Sequence, residues 1–177
     1  MRVLVCGWAG YIGSNMTAML SAEGHKPVVF DNLSKGHKSA IGETEFVEGD
    51  LADNRLLVET LEKFGIEAVM HFAAFIEVDE SVREPLKFYG NNLCCTRNLL
   101  SAMETAGVQK FVFSSTAAVY GIPENMPIAE NFPTEPINPY GQTKLAVERM
   151  CHYQSRTGKL AYAALRYFNA CGAGNNT

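Results

Sequence analysis

Six short apolar runs, "RVLVC", "PVVFD", "TEFVE", "EAVMHF", "KFVFSS" and "YAALRY", recur along the chain with segments of helical period between them. Runs this short and apolar suit strands covered on both faces, and their alternation with helices is the pattern of parallel strands joined by crossovers. The chain is therefore expected to be α/β, a doubly wound parallel sheet with helices on both faces. "YIGSNMTAMLSAEG" reads as a helix closed by Gly24, and "NRLLVETLEKFG" as one with Leu56, Leu57, Leu61 and Phe64 on one side and Gly65 at its end. "LKFYGNNLCCTRNLLSAMETAG" reads as one longer helix closed by Gly107. Between Gly121 and Pro139 the density of Pro123, Pro127, Pro133, Pro136 and Pro139 forbids regular structure and predicts a long ordered surface loop. It feeds "NPYGQTKLAVERMCHYQSRTG", a helix with Asn138 as cap, Pro139 at its first position and Gly158 beyond its end. No boundary or repeat divides residues 1–177, which read as a single domain with a frayed "GAGNNT" end.

Composition narrows the partners. A chain of 177 residues that is 47% hydrophobic is sized for one core. A formal charge of −4 with no basic run argues against a nucleic-acid partner. No apolar stretch approaches the roughly 18 residues of a membrane span, and glycines interrupt "MRVLVCGWAGYIG" too early for a signal peptide. Cys6, Cys94, Cys95, Cys151 and Cys171 are odd in number and lack C-x-x-C spacing, which suits buried thiols in a reducing cytoplasm. His25, His37, His71 and His152 stand singly, so no metal site is expected.

Gly7, Gly10 and Gly13 lie between the first strand and the first helix. In that context glycines allow a sharp turn, let backbone N–H groups approach a pyrophosphate and permit close packing of helix on strand. The helix N-terminus then offers its free N–H groups to the anion. Asp31 ends the second strand eighteen residues beyond Gly13, near the offset of about 20 at which a carboxylate meets the adenosine ribose. A carboxylate there favours NAD over NADP, and the whole reads as a Rossmann-type NAD site. Alternatively, Asp31 simply opens the turn "DNLSKG".

Tyr140 and Lys144 are four residues apart at the start of one helix and share a face. A phenol with a pKa of about 10 is a poor base at neutral pH. An adjacent ammonium, the helix N-terminus and a nicotinamide cation would each favour its phenolate. Such a tyrosine can take a proton from a sugar hydroxyl while the carbon loses hydride. "FVFSSTAAVYG" puts Ser114, Ser115 and Thr116 at the carboxyl end of the fifth strand, on the rim where open parallel sheets bind ligands. One of these hydroxyls can bind the substrate oxygen, or all three can merely satisfy frayed backbone.

With these residues the chain resembles the extended short-chain dehydrogenase/reductase superfamily, and within it the UDP-glucose 4-epimerase family. "GWAGYIGSN", "VVFDNLSKG", "FVEGDL", "HFAA", "VDESVREPLKFYGNN", "FSSTAAVYG", "PINPYGQTK" and "LRYFNACGA" match in order. The resemblance implies that Tyr11 and Ile12 contact the pyrophosphate, Asp31 and Asn32 the ribose, and Asp50 and Leu51 the adenine. It implies that Phe72, Ala73 and Ala74 line the cofactor, with Asn91 nearby and Phe168 against the nicotinamide. Thr116, Tyr140 and Lys144 match the catalytic trio, which also meets cofactor and substrate, and Asn169 would touch the substrate diphosphate. The implied reaction oxidises carbon 4 of a UDP-hexose and returns hydride to the opposite face, with NAD held throughout. Sister 4,6-dehydratases need an acid and a base where this chain has Ala117 and Ala118, so elimination is disfavoured.

Trp8 departs from the family's small residue. A positive φ there would strain the backbone, and a negative one would leave the ring crowding the loop or lying on the surface. Cys6, Asn15, Asp79 and Cys95 replace the usual Thr, His, Gly and Gly, each able to weaken packing or cofactor contacts. Family members carry a C-terminal substrate lobe that this chain is expected to lack, so it should keep NAD better than it turns over sugar. The alternatives are an NAD-binding module without catalysis and an enzyme for another nucleotide sugar. Members usually dimerise through two helices per subunit, of which "NPYGQTKLAVERMCHYQ" would be one, unless its apolar residues belong to the core.

Overall fold

The computed structural model describes residues 1–35 and 44–172. The end "GAGNNT", expected to fray, lies almost wholly outside them. Six strands, β1 (Arg2–Cys6), β2 (Lys26–Asp31), β3 (Glu45–Glu48), β4 (Ala68–His71), β5 (Lys110–Thr116) and β6 (Ala161–Tyr167), coincide with the six apolar runs. All pair in parallel in the order β3-β2-β1-β4-β5-β6. The chain starts at the middle and winds outward twice, which creates a crevice between the carboxyl ends of β1 and β4.

Right-handed crossovers fix which face each helix takes. The step β1→β2 runs toward β3, so α1 (Tyr11–Ala22) covers one face. The steps β3→β4, β4→β5 and β5→β6 run the other way, so α2 (Asn54–Lys63), α5 (Cys95–Thr105) and α6 (Pro139–Ser155) share the opposite face. There they meet Leu4, Cys6, Val28, Phe30, Phe111 and Phe113 in the main core, contributing Leu57, Leu61, Leu99, Met103, Val147 and Cys151. Helices thus lie on both faces as expected, but unequally: on the α1 side, Ala161, Ala163 and Leu165 of edge strand β6 remain exposed among the described residues.

Helix ends follow local chemistry. Asp53 accepts the Leu56 N–H at 3.0 Å to open α2, and Asn138 accepts the Gly141 N–H at 2.8 Å to open α6, with Pro139 in its first turn. Gly24, Gly65, Gly107 and Gly158 take positive φ where the preceding helices stop. The third expected helix differs. After the short α3 (Val78–Arg83) it divides into α4 (Pro85–Phe88), a π-helical turn (Tyr89–Cys94) and α5. The cause is Asn92, whose amide leaves the helix face to pair with the backbone of residue 75, accepting its N–H and donating to its carbonyl, both at 2.9 Å.

Two expectations about unusual residues are corrected. Trp8 is 5% exposed and takes no positive φ, which falls on Gly7 instead. The indole is buried with Val29, Ala9 and Phe46, so it does not lie on the surface, and Trp8 does not line the cleft above the loop. Of the cysteines, Cys6 and Cys151 are buried and Cys95 is half-buried, but Cys94 and Cys171 are exposed, Cys171 lying beyond the end of β6.

Candidate active site

The glycine loop is shaped by what a Cβ would meet. Gly7, at φ +85, would put one 2.3 Å from the Ala73 nitrogen, and Gly13 would put one 2.3 Å from the Gly7 oxygen. Gly10, with φ −86 at the N-cap of α1, would bring its Cβ only to 3.5 Å from the Gly7 oxygen. The loop is thus closed from below and open above Gly10, where the first N–H groups of α1 begin. Asp31 tightens it from β2, accepting the Ala9 N–H at 2.8 Å through one oxygen and the Leu33 N–H at 2.8 Å through the other. Leu33 has φ 55, which for a branched side chain costs about 1–2 kcal/mol and is held by that bond. The turn-forming role of Asp31 is therefore present, and its carboxylate keeps acceptor sites to spare, since it has about four.

A cleft of 480 Å³ joins this loop to the far strand ends. Gly7, Gly10, Tyr11, Ile12 and Gly13 form one wall, and Asp31, Asn32, Asp50 and Leu51 close one end. Asn32 donates to Asp50 across the ends of β2 and β3 at 2.8 Å. Phe72, Ala73 and Ala74 follow β4 along the middle, with Asn91 beside them. Thr116, Tyr140, Lys144, Phe168 and Asn169 line the other end.

At that end β5 and α6 supply the polar groups. Lys144, only 3% exposed, donates to the Ser114 carbonyl at 2.7 Å, and its ammonium lies 6.0 Å from the centre of the Tyr140 ring. Burial pushes its pKa down to about 7. Burial also raises the Tyr140 phenol above its ordinary value, and a hydrogen bond with Thr116 offsets this only in part. The expected acidification by the neighbouring lysine is therefore not supplied by the chain alone, because desolvation disfavours both charged forms. Thr116 also accepts the Ala118 N–H at 3.2 Å, the strand-end role weighed from the sequence.

Three features escaped the sequence reading. Gly49, whose added Cβ would strike Leu56 and Phe30 at 2.5 and 2.7 Å, lets β3 reach the cleft, and its place just before Asp50 was a usable signal. Asn92 bridges the segment after β4 to α6 through Thr143, and the poor helix formers Gly90, Asn91 and Asn92 in mid-helix marked that break. The ion pair of Lys35 with Glu77 across the cleft wall has no local signature.

Beneath the cleft, buried His71 pairs through Nε2 with Thr96 at 2.8 Å. Thr96 donates its proton to the Asn92 carbonyl, so Nε2 is the donor and Nδ1 is left without a partner among the described residues. Burial, aided by Lys144, lowers its pKa from 6.5 to about 3. The unfolded imidazole binds a proton below 6.5 that the folded one refuses until about 3, so stability is lost as pH falls through that window. Replacing His71 with Phe is expected to flatten the fall by up to about 1.4 kcal/mol per pH unit. Urea titrations between pH 7 and 4 test this, and parallel curves for the two proteins would refute it.

A parallel sheet in this order, with a glycine cradle and a Tyr-x-x-x-Lys pair on one crevice, defines a dinucleotide-binding α/β protein of the dehydrogenase type. The sequence profile of the NAD dependent epimerase/dehydratase family matches residues 3–177, and the chain belongs to that family. UDP-glucose 4-epimerase of Halalkalibacterium halodurans is 48% identical over 99% of this chain and 53% of its own length. That of Rhizobium leguminosarum bv. trifolii is 49% identical over 97% of this chain and 52% of its own. The crystal structure of the Brucella ovis UDP-glucose 4-epimerase in complex with NAD superposes with a TM-score of 0.95 at 50% identity, covering 98% of this chain and 53% of that one. The chain spans about half the length of the curated relatives it matches.

Among the described residues no group of three or more His, Cys, Asp or Glu is arranged to hold a metal, and no helix is long and apolar enough to cross a membrane.

Proposed function

We propose that residues 1–177 are the NAD-holding unit of a UDP-glucose 4-epimerase, which interconverts UDP-glucose and UDP-galactose through a 4-keto sugar. The observation that carries this reading is the convergence on one cleft of the glycine cradle, Asp31 and the Tyr140–Lys144–Thr116 group. The cradle fits a dinucleotide: it is open above Gly10 where α1 begins, and Asp31 has acceptor capacity left for ribose hydroxyls. Asn32, Asp50 and Leu51 would then meet the adenosine, and Tyr11 and Ile12 the pyrophosphate. Phe72, Ala73, Ala74, Asn91 and Phe168 would border the rest of the cofactor. NAD, when bound, accepts hydride from the sugar and returns it. Tyr140 takes the proton of the 4-hydroxyl, Thr116 orients that hydroxyl and the phenol, and Asn169 meets the diphosphate. Lys144 holds the strand end and adds positive charge near the phenol when protonated.

The 4-epimerase reading is favoured over dehydration because Ala117 and Ala118 carry no group able to move a proton. A non-catalytic NAD module is the second reading. A cytoplasmic homodimer is part of the proposal. On α6, Leu145, Val147 and Cys151 are buried in this chain, while Arg149, His152 and Tyr153 face outward and are free for a second subunit.

Native mass spectrometry of the purified chain tests the reading, with retained NAD and a dimer as the expected result. Gly10→Ala sharpens it. The added methyl meets ordinary contact distance inside the protein but occupies the anion approach. Stability should stay within about 0.5 kcal/mol, while NAD affinity falls about tenfold or more, as for one lost hydrogen bond to a charged group. Equal NAD affinity in both proteins would remove the cradle from the proposal.

A further inference from the structure

Behind the cleft, sharing with its lining only Ser115, a part-buried polar cluster joins β5, α6, β6 and the long proline-rich segment. Glu148, 8% exposed, accepts the Ser115 hydroxyl. Both of its oxygens accept from the Arg166 guanidinium, Nε at 3.1 and 3.2 Å and Nη2 at 2.7 Å. Arg166 stands opposite Ser115 in the β5–β6 register. Its Nη1 donates to the Tyr120 hydroxyl at 2.7 Å and to the Glu130 carbonyl at 3.1 Å, and its guanidinium carbon lies 4.8 Å from the centre of the Tyr120 ring.

The placement matters more than the charge. Tyr140, Lys144 and Glu148 are spaced by four along α6 and form one stripe. Lys144 grips the Ser114 carbonyl and Glu148 the Ser115 side chain, so successive turns of the helix hold successive residues of the strand that leads into Thr116. A forked guanidinium satisfies both carboxylate oxygens at once, which a single hydroxyl cannot do. The pair is neutral overall, so its effect on the cleft is geometric.

We propose that Glu148 and Arg166 are positioning residues for the Tyr140–Lys144–Thr116 group: together they lock α6 to the end of β5 through Ser115 and dock the proline-rich segment on the same frame through Tyr120 and Glu130. The inference rests on the reading of that group as catalytic, but its test requires neither NAD nor sugar. Removing Arg166 alone would strand the buried charge of Glu148 and report mainly unfolding. The double variant Glu148→Met with Arg166→Met leaves no orphan charge, and apolar replacement of a buried pair is often neutral for stability.

The measurement is the titration of each lysine by competitive amine labelling and mass spectrometry, with folding followed by circular dichroism and Trp8 fluorescence. Lys144 is faced by His71 from β4, by the Phe113 ring of β5 at 4.8 Å and by Tyr140 of its own helix. Loosening α6 from β5 admits water, so Lys144 should titrate about one pH unit or more above the wild-type value, a tenfold change in its charged-to-neutral ratio. Lys26 and Lys63, on remote elements, should not move. Ser115→Ala cuts the link while leaving the ion pair intact and should shift Lys144 in the same direction. If the double variant does not fold, Ser115→Ala decides alone. Unchanged Lys144 titration in either folded variant overturns the proposal, since a merely structural pair would alter only the melting temperature. Failure of the epimerase reading would show separately, as no NAD retained by a chain whose Lys144 still shifts.

Discussion

Gly7→Ala is expected to destabilise the chain by about 2–5 kcal/mol, at the upper end enough to leave a marginal domain largely unfolded on mild heating. Two costs combine. Gly7 sits at φ +85, where an L side chain loses about 1–2 kcal/mol. Its Cβ would also lie 2.3 Å from the Ala73 nitrogen and 2.7 Å from the Phe72 carbonyl carbon, and overpacking costs about 1–3 kcal/mol or more. Both obstacles are backbone, so no rotamer change relieves them. The neighbouring strand end would have to withdraw, opening the middle of the cleft. Trp8, the sole tryptophan and buried beside this loop, reports the transition directly in a urea titration. A Gly7→Ala protein within about 1 kcal/mol of wild type would mean that the loop relaxes freely. The contrast with Gly10→Ala, three residues on, separates a glycine needed for folding from one needed for ligand approach.

Tyr140→Phe is expected to leave folding and NAD retention intact while lowering sugar-dependent NADH formation by about 10²–10⁴-fold, the span general-base catalysis supplies. The substitution removes one hydroxyl, the hydrogen-bond partner of Thr116, and keeps the ring that faces Lys144. The assay is nicotinamide absorbance after adding UDP-glucose to the NAD-loaded chain, followed over hours. Because burial holds the phenol above its ordinary pKa, the wild-type rate should climb as pH rises into the alkaline range. The variant should lose that dependence. Comparable rates in the two proteins would remove Tyr140 from the chemistry, and absence of signal in both would favour the non-catalytic module.

Much of this site could be anticipated because its components carry local signatures. Gly7, Gly10 and Gly13 sit where a strand becomes a helix, Asp31 ends the next strand, and Tyr140 and Lys144 lie one helical turn apart behind a capping Asn138. Each pattern depends on backbone geometry over a few residues. The supporting shell was not legible in the same way. Asn92 pairs with residue 75, Glu148 with Ser115 and Arg166, and Lys35 with Glu77, partners 17 to 42 residues apart. Nothing in the composition of either segment announces the other. Trp8 was misplaced for the same reason, since its burial depends on Val29 and Phe46, which strand order brings alongside.

The sequence by itself determined the six strands, most of the helices between them and the glycine, tyrosine and lysine spacings on which the proposed site rests, because periodicity, capping and glycine spacing act within one or two turns of chain. Only the tertiary structure decided the sheet order that gathers them, the π-helical turn at Asn92, and the directions in which burial moves the pKa values of Tyr140 and Lys144. Those follow from which elements become neighbours and how far each group is withdrawn from water, and desolvation exists only once the chain has packed.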